Sequence, residues 1–234
     1  MTPARENLDR GPLNNAELAA AVARDIPRGA VVNLGIGLPT TVADHLPADA
    51  GVVLHTENGM LGMGPEAHGD AIDPDLSNAG KIPVTELPGA AYFHHADSFA
   101  MMRGGHLDVC VMGAFQVSDR GDLANWSTGA PGSIPAVGGA MDLAIGAKAV
   151  YVMMSLFAKD GTPKLVEHCS YPLTGRRCVQ RIYSDLAIID LHPDHGATVR
   201  ETFSVSIADL RGRLGLTLHT GDASIGSDCE RAPR

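Results

Sequence analysis

The chain has little that would place it in a membrane, a disulfide scaffold or a nucleic-acid complex. No run approaches the roughly 20 apolar residues that a membrane-spanning helix needs. Cysteine is scarce: Cys110, Cys169, Cys178 and Cys229 are widely spaced and include no C-x-x-C pair, so neither a zinc site nor a disulfide framework is indicated. Cys110, inside Val109-Cys110-Val111-Met112, reads as a small core residue. There is no H-E-x-x-H pattern, and the adjacent His94 and His95 would face opposite ways on an extended chain, so no metal is expected. Positive charge is also short. Eighteen Lys and Arg against 27 Asp and Glu give a formal net charge of −9, which opposes broad attraction to the polyanions that nucleic acids and acidic membranes present. The opening residues, Met1 to Asn7, hold no apolar stretch of signal-peptide length, and a reducing cytoplasm is the expected compartment. No internal repeat or low-complexity segment divides the chain.

What is present suits a sizeable core. The 234 residues are 44% hydrophobic, and one domain over 1–234 is expected, with a polar start at about 1–14 and a frayed tail at about 215–234. Asn15 is predicted to cap a helix ended by Pro27 and Gly29. Strands are predicted at Val31 to Leu34, Val52 to Thr56, Leu107 to Met112, Val150 to Met154 and Leu186 to Ile189. Helices are predicted around Val42 to Leu46, from an Asp97 cap through Met102, at Met141 to Ala147 and at Ser206 to Leu214. The segment from Met60 to Lys81, rich in Gly, Pro, Asp and Asn, reads as an ordered loop. Such alternation is α/β in type.

Three turns carry chemistry. The strand ending in His55-Thr56-Glu57 delivers a carboxylate to Asn58-Gly59, residues that tolerate positive φ. Taken alone, Glu57 reads as a solvated loop acid, because strand-end acids are common. The second turn is Asn33-Leu34-Gly35-Ile36-Gly37, where glycines allow a close backbone approach to a ligand. The third is Gly138-Gly139 ahead of Ala140-Met141-Asp142-Leu143, a place where backbone N–H groups suit a developing oxyanion.

These segments, with Asn78-Ala79-Gly80-Lys81, Leu87-Pro88-Gly89-Ala90, Ser98 through His106, Gly121 through Trp126 and Tyr171 through Gly175, resemble the small, or beta, subunits of the 3-oxoacid coenzyme A transferases. The likeness runs from about Asn33 to Leu191. Within the family, the wording around Met153-Met154 and Ser170-Tyr171-Pro172 is most similar to the 3-oxoadipate:succinyl-CoA branch. The resemblance implies an open, mostly parallel sheet with flanking helices, the CoA-transferase (NagB/RpiA-like) fold. It implies Glu57 as covalent carrier of CoA, Gly138 and Gly139 as oxyanion donors, and Asn33, Gly35, Gly37 and Asn58 around the substrate. A coenzyme A thioester is then a substrate, alongside small carboxylic acids, and no cofactor is expected. The alpha half of the family is missing from the chain, which implies a separate alpha subunit.

Arg103 has two readings, compensation of a helix C-terminal dipole or a bidentate grip on a dicarboxylic substrate. Arg176-Arg177 is the other basic candidate, and His55 reads as a structural strand residue. Ser155-Leu156 stands where many relatives carry an acid and a histidine, which leaves substrate choice more open than activity class. An acetate or acetoacetate transferase is the near alternative. A dinucleotide enzyme fails because Thr40 replaces the third glycine of the fingerprint and Pro39 disturbs the helix entry. A sensor or sugar-phosphate isomerase on a related scaffold would have no need for Glu57.

Overall fold

The computed structural model describes residues 4–221 except 79, 131 and 133. In chain order the elements begin with β1 (Arg5–Asn7), α1 (Asn15–Asp25), β2 (Val31–Leu34), β3 (Val53–Thr56), β4 (Met60–Glu66) and β5 (Val84–Tyr92). They continue with α2 (His95–Arg103), β6 (Val109–Gly113), β7 (Gln116–Ser118), β8 (Leu123–Ala124), α3 (Ala140–Gly146), β9 (Ala149–Met153) and β10 (Leu165–Val166). The last are β11 (Arg181–Tyr183), β12 (Ala187–His192), β13 (Gly196–Phe203), α4 (Ile207–Leu214) and β14 (Leu218–Thr220).

Eleven strands form one open sheet in the order β1-β13-β12-β11-β9-β6-β2-β3-β4-β5, with β14 beside β13. Its centre is parallel: β3, β2, β6, β9 and β11 run the same way. Antiparallel strands flank that centre on both sides. A small sheet, β10-β7-β8, lies beside it.

The strand β6 shows why the centre is parallel and covered. All of Val109 to Met112 is buried, the continuous apolar run of a strand packed on both faces. Successive side chains alternate across the sheet. Val109 and Val111 join a core with Leu18 and Val22 of α1, while Cys110 and Met112 join one with Met102 of α2, Leu143 of α3 and Leu210 of α4.

Several expectations need correction. The cap of α1 is Asn14, whose side chain accepts from the Glu17 N–H while Glu17 accepts from the Asn14 N–H, a reciprocal capping box. The cap of α2 is His94, whose Nδ1 accepts from the Ala96 N–H at 3.1 Å, and Asp97 sits in the first turn instead. The short helix expected around Val42 to Leu46 is a 3₁₀ helix, Leu38–His45, with Pro39 in its first turn. The predicted loop from Met60 opens as β4, paired with β3 and β5; Gly62 and Gly64 leave no side chains from which an alternation is read. The polar start contributes β1, parallel to β13. The expected frayed tail instead begins with an ordered strand, β14, paired with β13, and residues 222–234, with Cys229, lie outside the described residues. Among the described residues no helix is long and apolar enough to cross a membrane.

Candidate active site

Glu57 follows the carboxyl end of β3, beside the carboxyl ends of β2, β6 and β9. Open α/β sheets bind ligands at such ends. Gly59 sets the turn, at φ 116°. A Cβ there would run into the Phe93 carbonyl oxygen, so no other residue fits. The Met60 N–H donates to Thr56 Oγ1 at 3.0 Å, closing the turn from the other side.

Behind Glu57 runs a buried polar chain. Asn33 Nδ2 donates to His55 Nδ1 (3.1 Å) and to the His55 carbonyl (3.2 Å). His55 Nε2 meets Ser98 Oγ at 3.0 Å, and the Ser98 hydroxyl donates to the Thr56 carbonyl at 3.1 Å. The network assigns the imidazole proton to Nε2, since Asn33 donates to the other nitrogen. Burial pushes the His55 pKa down to about 4, so the ring is neutral near pH 7. His55 is therefore a strut that fixes the last residues of β3, in keeping with its reading as a structural strand residue. Cys110 lies against Asn33 Oδ1, Sγ to oxygen 4.0 Å, and burial, with Cys178 and Glu57 adding to it, raises its thiol pKa.

In front of Glu57 is a cavity of about 580 Å³. Asn33, Gly35, Glu57, Gly138 and Gly139 all line it, with Asn78, Phe115, Asn125, Met153, Met154 and Lys164. The glycine turn before α3 touches the carboxylate: a Cβ on Gly139 would stand 2.6 Å from Glu57 Oε2 and 2.8 Å from Cδ. In that turn the Ala140 N–H donates to the Val137 carbonyl and the Leu143 N–H to the Gly139 carbonyl. Among the described residues no hydrogen bond takes the N–H of Gly138 or Gly139, or reaches the Glu57 carboxylate. Among the described residues the acid and the Gly138-Gly139 turn thus line one cavity without a hydrogen bond between them.

The other expected residues fall into place unevenly. The Gly35 N–H is spent on the Val111 carbonyl at 2.8 Å, so it shapes the wall and does not donate into the cavity. Gly37, at φ 88°, leads into the 3₁₀ helix and accepts from Thr40; it does not line the cavity. Asn58 points to the neighbouring loop, donating to the Ser77 carbonyl at 2.8 Å. Arg103 is engaged elsewhere: Nε meets Asp142 Oδ1 at 2.7 Å and the guanidinium lies over Phe99. Its side chain is 66% exposed and ties α2 to α3, so the substrate grip read for it gives way to helix packing. Arg177 holds a turn, its N–H donating to Asp122 Oδ1.

Among the lining residues assigned no role from sequence are Asn125 and Lys164. Asn125 bridges the Gly113 carbonyl and the Thr174 hydroxyl, and only its place within Gly121 through Trp126 marked it. Lys164 gave no local signal, sitting in a polar turn between two strands. Among the described residues it is the one Lys or Arg on the cavity wall. No cluster of metal-ligating side chains occurs among the described residues.

The sequence comparisons with known proteins agree on one family. A family model described as Coenzyme A transferase matches residues 15–202. The chain is 55% identical to the B subunit of the 3-oxoadipate CoA-transferase of Acinetobacter baylyi, over 88% of its own length and 95% of the relative's. It is 57% identical to the protein of the same name from Pseudomonas putida, over 88% and 96%. The fold matches the crystal structure of the acyl-CoA transferase YdiF from Escherichia coli O157:H7 at TM-score 0.67 and 19% identity, over 89% of this chain. The chain spans 42% of that longer polypeptide.

Proposed function

Because the chain belongs to the coenzyme A transferase family, we propose that it is the beta subunit of a 3-oxoacid CoA-transferase that moves CoA from succinyl-CoA to 3-oxoadipate through a thioester on Glu57. The observation that carries the mechanism is the Glu57 carboxylate, free of hydrogen bonds among the described residues and packed against the Gly139 backbone at the cavity wall. The substrate pair rests on the two relatives named for 3-oxoadipate.

The chemistry follows from exchanging one thioester for another of similar energy. Glu57 attacks the acyl-CoA carbonyl, the C–S bond breaks, and a mixed anhydride forms with release of the CoA thiolate. The thiolate then attacks the glutamyl carbonyl, expelling succinate and leaving CoA on Glu57. The acceptor carboxylate runs the same two steps in reverse, which makes the kinetics ping-pong. Each attack builds a tetrahedral oxyanion, and the N–H groups of Gly138 and Gly139 are the donors we assign to it; one such donor is worth about 10²- to 10³-fold in rate. A carboxylate nucleophile needs no general base, which suits a neighbouring histidine that stays neutral. Nothing in this cycle requires a resident cofactor.

A separate alpha subunit completes the site in this reading. The relatives are named as B subunits, and the YdiF chain is more than twice as long. We place the enzyme in the cytoplasm, where thiols stay reduced.

The test is to co-purify the chain with its alpha partner and add succinyl-CoA without acceptor. A CoA adduct on the peptide holding Glu57 is expected by mass spectrometry. An intact, assembled complex that forms no adduct sinks the mechanism.

A further inference from the structure

Lys164 is held in a way that suits a ligand. Its backbone is fixed on both sides, the N–H donating to the Leu156 carbonyl and the carbonyl accepting from the Val117 N–H, both at 2.9 Å. The turn before it is closed by Ala158 and Thr162 and by a bridge between Phe157 and Pro163. The side chain therefore leaves a rigid base and enters the same cavity as Glu57.

The side-chain amides that share its cavity wall are already occupied. Asn33 serves His55, Asn78 Oδ1 accepts from the N–H groups of Gly80 and Ile82, and Asn125 serves Gly113 and Thr174. Lys164 itself is in no ion pair among the described residues. Asp185, the acid whose field reaches it, is hydrogen-bonded to the Leu156 N–H at 2.8 Å. Half-buried, the ammonium is partly stripped of water, and burial lowers its pKa against the opposing pull of Asp185. A cation left in that state gains by taking up an anion.

We propose that Lys164 is the specificity-determining residue of the cavity, binding the second carboxylate of a dicarboxylic acyl group while the thioester end meets Glu57. This rests on the proposed function and extends it. Succinyl and 3-oxoadipyl groups each carry a carboxylate remote from the reacting carbonyl. In a ping-pong cycle they occupy one cavity in turn, so one fixed cation serves both halves. A monocarboxylic acyl group gains nothing from Lys164 and leaves the ammonium uncompensated. Discrimination follows from that difference.

The half-reaction isolates the effect, because it involves only one acyl group. Acceptor-free rates of CoA-adduct formation on Glu57 should be compared for succinyl-CoA and butyryl-CoA, a neutral analogue of like size, using the complex with its alpha subunit. Lys164→Met is expected to lower the second-order rate constant for succinyl-CoA about 10- to 100-fold, the range for a lost charge-assisted hydrogen bond. The rate with butyryl-CoA should change less than about 3-fold. Lys164→Arg, which keeps the charge and covers a failure of the methionine variant to assemble, should still prefer succinyl-CoA. Equal losses for both donors, no loss for either, or an arginine variant without preference overturns the assignment. Wild-type complex that forms no adduct with either donor removes the proposed function itself, and the inference with it.

Discussion

Glu57 and Arg181 are both charged groups set among strands of the same sheet, and the chain treats them in opposite ways. Arg181 opens β11 between two acids: Nε meets Asp190 at 2.5 Å, Nη1 meets Asp25 at 3.0 Å, and the Tyr183 hydroxyl donates to the same Asp25 at 2.9 Å. Arg200 adds a second cation to Asp190. Burial alone would lower the Arg181 pKa, but Asp190 and its neighbours outweigh it and hold the guanidinium firmly charged. Glu57, by contrast, follows its strand into a cavity where no hydrogen bond from the described residues occupies it. A charge that stabilises is surrounded by partners. The charge proposed to react has its partners removed and its backbone fixed instead.

Exchanging the two treatments breaks the comparison most sharply. Glu57→Gln keeps the size and loses the nucleophile, so CoA exchange should fall by at least about 10⁴-fold, with the urea midpoint of the complex near wild type. Arg181→Met should do the reverse. It leaves Asp25 and Asp190, 21% and 12% exposed, without their shared cation, a change that costs about 3–5 kcal/mol. The midpoint should drop while the folded fraction keeps its turnover. A stability loss in the glutamine variant, or a turnover loss in the methionine variant, would mean that the two regions are not separate in role.

Gly139→Ala tests the approach on the other side of Glu57. At φ −82° alanine is allowed on the backbone, and what the new methyl meets is the carboxylate, a movable side-chain end. The fold should absorb the change with little loss of stability, while the displaced nucleophile costs about 10²-fold in kcat. Unchanged turnover would mean that the Gly139 backbone is not where the reaction occurs.

Much of this arrangement was legible in the sequence. The central strands are continuous apolar runs, and β2, β3, β6 and β9 were placed to within about two residues, which also placed the ends that carry Glu57 and Gly35. The turn at Gly138-Gly139 announced itself as two glycines ahead of a helix. What stayed hidden depends on pairing across long distances. Gly62 and Gly64 masked β4, because a strand without side chains has no alternation. Arg103 carried two readings, dipole compensation and substrate grip, until Asp142, 39 residues away, was seen beside it. Lys164 drew no reading from sequence, because only the pairing of β10 with β7 brings it to the cavity.

His55 represents a third treatment, a titratable group held neutral, and its effect is the smallest of the set. In the unfolded chain a histidine has a pKa of about 6.5; in the fold burial pushes His55 down to about 4. Between those values the unfolded state binds a proton that the folded state refuses. Its contribution to stability is therefore complete above about pH 6.5 and is lost as pH falls toward 4, by up to about 1.4 kcal/mol per pH unit. Carboxylates titrate in the same window, so the measurement is a difference. Unfolding free energies of wild type and His55→Asn should be followed from pH 7 to pH 4.5. The variant starts lower, having broken the chain from Asn33 to Ser98, but declines less steeply, because it lacks the group that the unfolded state protonates. Parallel curves would show that His55 accepts its proton in the folded state, and the neutral strut behind Glu57 would then have to be replaced by a charged one.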